Sequence, residues 1–253
     1  MTITFLGTGT SQGVPVVACT CEVCMSADKN DKRLRTSIMI ETAGKIVVID
    51  SGPDFRYQML REKVMHLDAL VFTHEHKDHV AGMDDIRAFN YKQQAAIDIY
   101  ATKNVQEALQ REFHYIFSEF KYPGIPDVNL NTITEEPFNI GEIHFIPIEV
   151  MHYKLPVLGF RVKDFTYITD AKTISAAEKE KIRGTKILVI NALQKENHIS
   201  HFTLDEAIYF AQEIGAYQTY FTHISHRLGK HADVSAELPP NIFLAYDGMK
   251  LEV

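Results

Sequence analysis

Residues 70–79 read Leu-Val-Phe-Thr-His-Glu-His-Lys-Asp-His, and this stretch indicates a metal-binding fold. Its apolar start is typical of a buried strand, and the turn that follows carries three imidazoles and two carboxylates. Side chains two positions apart in a strand project in the same direction, so His74 and His76 can bind one ion. Asp78 and His79 lie further round the turn and can bind a second ion. A single histidine near a strand end is usually a surface or core residue, but four metal-capable residues in six positions favour a site.

The stretch resembles the His-x-His-x-Asp-His signature of the metallo-β-lactamase superfamily, and the resemblance extends across nearly the whole chain. It implies three further ligands: a histidine after a strand, an aspartate that bridges both metals, and a histidine near the C-terminus. Each has a match at the end of an apolar run, and these matches are His152, Asp170 and His223. His144 is an alternative to His152, but it lies inside a strand-like run, whereas His152 comes at the end of that run.

Short apolar and β-branched runs predict strands at residues 3–6, 37–40, 46–49, 69–73, 97–100, 143–150, 159–162, 166–169, 187–190, 219–222 and 242–246. Helical spacing predicts helices at residues 55–62, 82–91, 105–116, 175–183 and 204–214, and Thr203 with Glu206 predicts a capping box at the start of the last one. Ala43-Gly44 predicts a hairpin turn. Residues 122–136 are the longest predicted loop. The expected fold is α/β, called α+β in some schemes: an αββα sandwich of two mixed β-sheets with outer helices.

The carboxylate of Asp50 closes the apolar run 47–49 and also matches a superfamily position. There it could orient a ligand histidine by accepting the second N–H of that histidine. The alternative role, a helix cap or turn former before Pro53, fits Asp54 better than Asp50.

All three cysteines, Cys19, Cys21 and Cys24, lie within one six-residue window. An odd, clustered set in a reducing compartment favours a metal site or a reactive thiol over disulfides. With the preceding Gly7-Thr8-Gly9, the segment resembles the phosphoribosyl cyclic phosphodiesterases. That resemblance implies a structural zinc held by the three thiolates and His226, and three thiolates with one imidazole make a closed tetrahedral site. Three merely reduced or buried thiols are the alternative.

A further histidine, His201, lies 22 residues before His223. The same resemblance implies a histidine near the metals that protonates the departing oxygen. His198 is the rival for this position, and the alternative for either histidine is a solvent-exposed residue without a catalytic role. We predict His201, Asp78 and Asp170 as the catalytic residues. Two metals that share Asp170 would hold a bridging hydroxide that attacks phosphorus. Four basic residues could hold a second phosphate: Arg35, Arg161, Arg227 and Lys230. The alternative is that these residues form only surface ion pairs.

The composition of the 253 residues is that of an ordinary globular protein, with a hydrophobic fraction of 45% and a net charge of −7. We expect one domain over residues 1–253. A start without a secretion signal and the lack of a long apolar run predict a cytoplasmic protein without a membrane partner. The expected cofactors are two divalent ions in the active site, zinc or manganese with iron as an alternative, and one structural zinc. The expected partner is a small phosphodiester substrate, and a homodimer is left open.

These features favour a metal-dependent hydrolase, most of all a phosphodiesterase for a cyclic phosphodiester such as phosphoribosyl 1,2-cyclic phosphate. An RNA 3′-end processing nuclease would use the same ligand set, but the net charge of −7 disfavours a nucleic-acid partner. The B protein of pyrroloquinoline quinone biosynthesis resembles the chain in fold and in the cysteine cluster. A metal-stabilised binding protein without turnover is the alternative from another class.

Overall fold

The structure, a computed structural model, describes residues 1–120 and 122–253. The strands of this part of the chain are β1 (Thr2–Gly7), β2 (Ser37–Thr42), β3 (Lys45–Ile49), β4 (Ala69–Val71), β5 (Ile97–Ala101), β6 (Val128–Thr132), β7 (Phe138–Ile140), β8 (Ile143–His152), β9 (Leu155–Val162), β10 (Phe165–Tyr167), β11 (Ile187–Asn191), β12 (Gln218–Thr222), β13 (Ile242–Leu244) and β14 (Lys250–Glu252). The α-helices are α1 (Phe55–Arg61), α2 (Lys77–Val80), α3 (Arg87–Gln93), α4 (Lys103–Glu112), α5 (His114–Phe117), α6 (Ala176–Ile182), α7 (Leu204–Ile214) and α8 (His231–Glu237). Single 3₁₀ turns lie at Lys29–Asp31 and Met83–Ile86.

The strands form two mixed sheets. The first has the order β14-β1-β2-β3-β4-β5-β6 and the second the order β13-β12-β11-β10-β9-β8-β7. In the first sheet β3, β4, β5 and β6 are parallel, and in the second β10, β11, β12 and β13 are parallel. The remaining pairs are antiparallel. This arrangement confirms the predicted αββα sandwich.

Both faces of each sheet are buried, which explains the continuous apolar runs in the sequence. Alternate residues of β3 divide between two cores: Val47 and Ile49 pack between the sheets, whereas Val48 packs under α1, α3 and α4. In the second sheet, Tyr167 faces the other sheet and Leu188 faces α6 and α7. The period-two alternation of the strands therefore builds one core between the sheets and one core under each layer of helices.

Local signals in the sequence account for several element ends. Helix α7 has the predicted capping box of Thr203 and Glu206 and ends at Gly215, which has a φ of 67°. The predicted turn between β2 and β3 is confirmed, with Ala43 at φ 51° and Gly44 at φ 71°. Positive φ at both turn residues is typical of a type I′ hairpin. In the described ranges, no helix is long and apolar enough to cross a membrane.

The predicted loop at residues 122–136 is wrong in part, because β6 lies within it. This strand pairs with β5 at the edge of the first sheet, and only its Val128 and Leu130 pack against the helical core. Its exposed Asn129 gives it the polar composition of a loop. An edge strand can contain many polar residues, because its outer edge has no neighbouring strand and faces solvent.

Candidate metal centre

The predicted ligands gather at one edge of the sandwich, where strands of both sheets end. His74 follows β4, Asp170 follows β10, His223 follows β12, and His152 is the last residue of β8. The carboxyl ends of parallel strands commonly form ligand sites because side chains from neighbouring strands converge there. We call the gathered residues the imidazole–carboxylate cluster, and they are His74, His76, Asp78, His79, His152, Asp170 and His223.

One half of the cluster is centred on His79. Its Nε2 lies 3.2 Å from Oδ2 of Asp78 and 3.3 Å from Oδ2 of Asp170. The Nε2 of His223 lies 3.3 Å from the other oxygen of Asp170 and 3.6 Å from Asp78. Asp78, His79 and His223 thus offer one group of ligand atoms, with Asp170 beside it.

The other half contains His74, His76 and His152. Nε2 of His74 lies 3.0 Å from Nδ1 of His76, and the rings of His76 and His152 have centroids 5.2 Å apart. Asp170 belongs to this half too, because it groups with His74 and His79 and also with His152 and His201. The pairing of His74 with His76, and of Asp78 with His79, stays a prediction, since His74 groups with His79 and Asp170 as well.

Several of the ring nitrogens are buried without a hydrogen-bond partner in the described part of the chain. These are Nε2 of His79, Nδ1 of His201, and both ring nitrogens of His223. A buried polar atom without a partner is costly, and native proteins rarely leave one uncompensated. Imidazole nitrogens and carboxylate oxygens both bind divalent metal ions, and here the two kinds of atom face one another. The arrangement therefore fits a metal site.

The electrostatics of the cluster are consistent with cation binding. Burial opposes ionisation of Asp170, but His223 and His79 outweigh it and hold the pKa of that carboxyl well below its usual value. Burial, followed by the charge of His79, lowers the pKa of His74 well below its usual value. The aspartate is therefore an anion and His74 is neutral, which are the states in which carboxylates and imidazoles bind metals. Burial opposes the charged form of His79, but Asp170, Asp50 and Asp78 outweigh it and raise the pKa of that histidine well above its usual value. A metal ion at His79 would therefore replace a proton.

Asp50 has the contacts expected of a residue that orients a ligand. Its Oδ2 accepts from Nδ1 of His79 at 2.7 Å, and both of its oxygens accept from Thr73, one from the N–H and one from the hydroxyl, each at 2.9 Å. The bond to Nδ1 leaves Nε2 of His79 free to face Asp78 and Asp170. Asp54 instead accepts from the backbone and side chain of Arg35.

The backbone of the site carries strain at residues other than glycine. Asp50 has a φ of 66°, Asp170 a φ of 58° and His223 a φ of 54°. Such conformations cost of order 1–3 kcal/mol each and cluster at functional sites. Close packing also supports the site, since a Cβ on Gly52 would lie 2.0 Å from the carbonyl oxygen of Asp78. Only glycine at position 52 lets α2 approach closely enough to present Asp78 and His79.

The sequence did not indicate several supporting residues. Thr169 donates its hydroxyl to Asp170 at 2.6 Å, and the side chain of Asn191 bonds both backbone groups of Ala171 at 2.7 and 3.0 Å. The carbonyl of Ser200 accepts from Nδ1 of His152 at 2.9 Å. A buried asparagine at the end of the apolar run 187–190 was a usable signal, whereas the role of Ser200 depends on its backbone and leaves no sequence trace.

His201 lies against the cluster, as expected of a histidine near the metals. Its Nδ1 is 3.8 Å from Oδ1 of Asp170, and its ring centroid is 4.5 Å from that of His152 and 4.8 Å from that of His223. Burial, and next the charge of His223, lower the pKa of His201 to about 2. The rival His198 is half-buried and further out, with its ring centroid 5.1 Å from that of His201.

The second predicted site is formed by Cys19, Cys21, Cys24 and His226, which we call the thiol cluster. The three sulfur atoms lie 3.3, 3.3 and 3.6 Å from Nδ1 of His226. A tetrahedral zinc with ordinary Zn–S and Zn–N bonds separates such atoms by about 3.6 Å. The four side chains are thus arranged around a volume that fits a closed zinc site.

Local hydrogen bonds prepare one of the thiols for metal binding. The backbone N–H of Cys24, followed by His226, lowers the pKa of Cys21 to about 6. Burial instead raises the pKa of Cys24 to about 11. The loop that follows β12 joins the two clusters, since His223 belongs to one and His226, three residues later, to the other.

The chain matches known proteins over most of its length. Residues 45–224 match the model of the beta-lactamase superfamily domain. A solved structure described as a new diphosphatase from the PhnP family is 40% identical, with a TM-score of 0.94 and coverage of 100% of this chain and 97% of that one. The octanoyltransferase of Porphyromonas gingivalis is 40% identical over 248 residues, which cover 97% of this chain and 50% of that protein.

A ribonuclease Z of Nostoc sp. is 25% identical over 171 residues, which cover 65% of this chain and 47% of that protein. The chain thus spans about half the length of these curated relatives. Because the family model covers well over half of the 253 residues and the two sheets form the expected sandwich, the chain belongs to the metallo-β-lactamase superfamily.

Proposed function

We propose that the chain is a metal-dependent hydrolase that cleaves a phosphodiester. The observation that carries the proposal is the imidazole–carboxylate cluster, in which buried ring nitrogens without hydrogen-bond partners in the described residues face Asp78 and Asp170. If the cluster had only a structural role, nothing would offset the free-energy cost of burying these ring nitrogens without partners. The 40% identical structure described as a diphosphatase supports chemistry at phosphorus.

The donors could hold two divalent ions. His74, His76 and His152, whose rings lie side by side, would hold one ion, whereas Asp78, His79 and His223 would hold the other, and Asp170 would contact both. When bound, such ions would supply a nucleophilic hydroxide near neutral pH and neutralise charge on the phosphoryl oxygens. Imidazole and carboxylate donors suit zinc and manganese, with iron as a further candidate.

The residues of the chain itself orient the reacting groups. Asp50 holds His79 so that its Nε2 faces the centre of the cluster, and Ser200 does the same for His152. His201 would donate a proton to the departing oxygen, since its Nδ1 lies 3.8 Å from Asp170. Burial lowers the pKa of His201, and the negative charge of a bound substrate would act in the opposite direction.

We infer that the substrate is small and anionic, such as a cyclic phosphodiester of the phosphoribosyl 1,2-cyclic phosphate type. Hydrolysis of a diphosphate, the activity for which the 40% identical protein is named, is the neighbouring reaction. Both reactions break a phosphorus–oxygen bond and release an oxygen leaving group. We also propose that the protein is cytoplasmic.

RNA 3′-end processing is the second candidate, and the ribonuclease Z match over 65% of the chain favours it. The net charge of −7 weighs against it, because RNA binding depends on neutralising several phosphates. Acyl transfer is not proposed, since the match to the octanoyltransferase leaves half of that protein uncovered.

The test is turnover by metal-depleted protein that has been reloaded with zinc or manganese. We expect hydrolysis of bis(p-nitrophenyl) phosphate that is lost on chelation and restored by metal. A panel of cyclic phosphodiesters, a diphosphate, short RNAs and acyl esters then ranks the substrate classes by kcat/KM. A loaded protein that hydrolyses none of them would overturn the proposal and favour a metal-stabilised binding protein.

A further inference from the structure

Two large apolar side chains are exposed beside the metal centre. Tyr153 is 53% exposed and directly follows His152, the last residue of β8, whereas Ile199 is 65% exposed and directly precedes Ser200. The bond of 2.9 Å from Nδ1 of His152 to the carbonyl of Ser200 holds the two segments together. Single exposed apolar residues are common on protein surfaces, but two that flank one hydrogen bond at a metal centre indicate a ligand. We call Tyr153 and Ile199 the apolar rim.

The apolar rim lies on the side of the cluster where His201 is found. The ring centroid of His201 is 4.5 Å from that of His152, and Ile199 precedes His201 by two positions in the same loop. The end of this loop is anchored, because the N–H of Phe202 donates to the carbonyl of Ala171 at 2.9 Å. Since His201 protonates the departing oxygen in the proposed function, the apolar rim lies beside the leaving group.

The turn that carries Tyr153 disfavours a bulky residue at this position. His152 pairs with Leu155, so Tyr153 is the first residue of a two-residue turn between β8 and β9, and its φ is 58°. A positive φ strains a bulky residue but not a glycine. The hairpin between β7 and β8 has Gly141 at the same turn position, also with a φ of 58°. A tyrosine where glycine would be unstrained favours a role for its ring.

The ring of Tyr153 is available to a ligand. Nζ of Lys154 lies 5.3 Å from its centroid, a cation–π contact that covers at most one face of the ring. Among the described residues, no aromatic side chain stacks on Tyr153, and its hydroxyl has no hydrogen-bond partner. An exposed aromatic ring with an open face is suited to stacking on another flat ring.

We propose that Tyr153 and Ile199 form a subsite for a flat ring that the substrate carries on its leaving group. The inference rests on the proposed function and narrows its substrate class to phosphodiesters whose leaving alcohol bears a ring such as a nucleobase. Tyr153 would stack on this ring, and Ile199 would pack against it. Neither side chain contacts the phosphate, so the two residues determine specificity and are not catalytic residues.

The test compares two cyclic phosphates that differ only in the group on C1 of the ribose: adenosine 2′,3′-cyclic phosphate and the methyl riboside 2,3-cyclic phosphate. The measured quantity is the ratio of kcat/KM for the adenosine compound to kcat/KM for the methyl riboside. We expect Tyr153→Gly to lower this ratio by roughly 10-fold, which is typical of lost base–aromatic stacking. Tyr153→Phe keeps the ring and should keep the ratio. An unchanged ratio in Tyr153→Gly would overturn the subsite.

A matched control separates the ring from the turn. Lys163 is exposed and is the first residue of the two-residue turn between β9 and β10, with a φ of 54°, at the end of β9 that lies away from His152. Lys163→Gly makes the same change of backbone preference and should leave the ratio unchanged. Neither glycine variant should lower the melting temperature, because the turn conformation suits glycine. A lower melting temperature in Tyr153→Gly alone, with an unchanged ratio, would assign the ring to the fold and overturn the subsite.

The second member of the apolar rim should have a smaller effect. Ile199→Ala should lower the same ratio by roughly 2- to 5-fold, as expected when part of an aliphatic contact is lost near solvent. Its kcat/KM for the methyl riboside should not change, since Ile199 would contact only the added ring. Equal losses on both cyclic phosphates would contradict a contact with the ring.

A separate binding measurement distinguishes failure of the subsite from failure of the proposed function. If the wild-type protein hydrolyses neither cyclic phosphate, the proposed function fails. Titration calorimetry of the metal-loaded protein with benzylphosphonate and with methylphosphonate then tests the apolar rim directly. A weaker affinity of Tyr153→Gly for benzylphosphonate alone supports the subsite, and affinities equal to those of the wild type for both ligands overturn it.

Discussion

The imidazole–carboxylate cluster and the thiol cluster are neighbours, yet they are built in opposite ways. The first takes its residues from the ends of strands in both sheets, and its backbone is strained at Asp170 and His223. The second takes three of its four residues from a single six-residue loop with few apolar contacts of its own. The fold itself therefore positions the first cluster, whereas the segment with the three cysteines packs only in a small apolar cluster of its own and would depend on a bound metal for its order.

The largest effect is expected from the removal of the Asp170 carboxylate, which lies beside both histidine groups of the first cluster. Asp170→Asn should lose turnover by roughly 10⁴-fold or more, because shared charge stabilisation by two metals is worth several kcal/mol. Metal analysis should show fewer ions in the cluster and an unchanged zinc content of the thiol cluster. Asp164→Asn is the control, because this half-buried residue ahead of β10 pairs with Lys186 and has no contact with the cluster among the described residues. Two fully retained active-site ions in Asp170→Asn would contradict the bridging role.

The second largest effect on turnover is expected at His201, which lies beside the imidazole–carboxylate cluster. His201→Ala should lose about 10²- to 10⁴-fold in turnover while both active-site metals remain, as expected of a general acid. The loss should shrink for p-nitrophenolate, which departs without protonation. Loss of a metal ion together with activity would instead identify His201 as a ligand with His152 and Asp170, a grouping that its position also permits.

A smaller effect is expected at Asp50, which touches the ligand His79 and not the reacting atoms. Asp50→Asn keeps the size of the side chain but removes the charge that His79 Nδ1 donates to at 2.7 Å. Loss of such a partner typically weakens metal affinity by about 10- to 100-fold. Competition with a chelator measures this, and Asp54→Asn provides the matched control in the same turn. If both variants retain metal equally well, Asp50 has a purely structural role.

Much of the first cluster could be predicted because its ligands follow apolar runs and fit a specific signature. Helix α7 was predictable for a similar local reason, the capping box of Thr203 and Glu206. The edge strand β6 was not, since its polar residues face solvent and leave no apolar run. Helix α8, with only Val234 buried, is too short for a periodic pattern to appear.

Other features of the site could not be predicted because they depend on contacts between distant segments. The positive φ of Asp170 and His223 belongs to residue types that give no warning of it. The support of His152 by Ser200 uses a backbone carbonyl 48 positions away. For the thiol cluster, the sequence spacing indicated the three cysteines, whereas the partner His226 followed only from the family resemblance.

The smallest effect on turnover is expected at the thiol cluster. Cys21→Ser should remove one zinc per chain while the imidazole–carboxylate cluster keeps its metals and the folded protein keeps its turnover within about twofold, since closed zinc sites are structural. Thermal stability should fall, because the binding free energy of a structural zinc is part of the folding free energy. Val17→Ser, which alters a 93% exposed residue of the same segment, is the control and should change neither quantity. An unchanged zinc count and melting temperature in Cys21→Ser would show that the thiols are merely reduced. A large loss of turnover at full folding would show instead that the two clusters are coupled through the loop that joins His223 to His226.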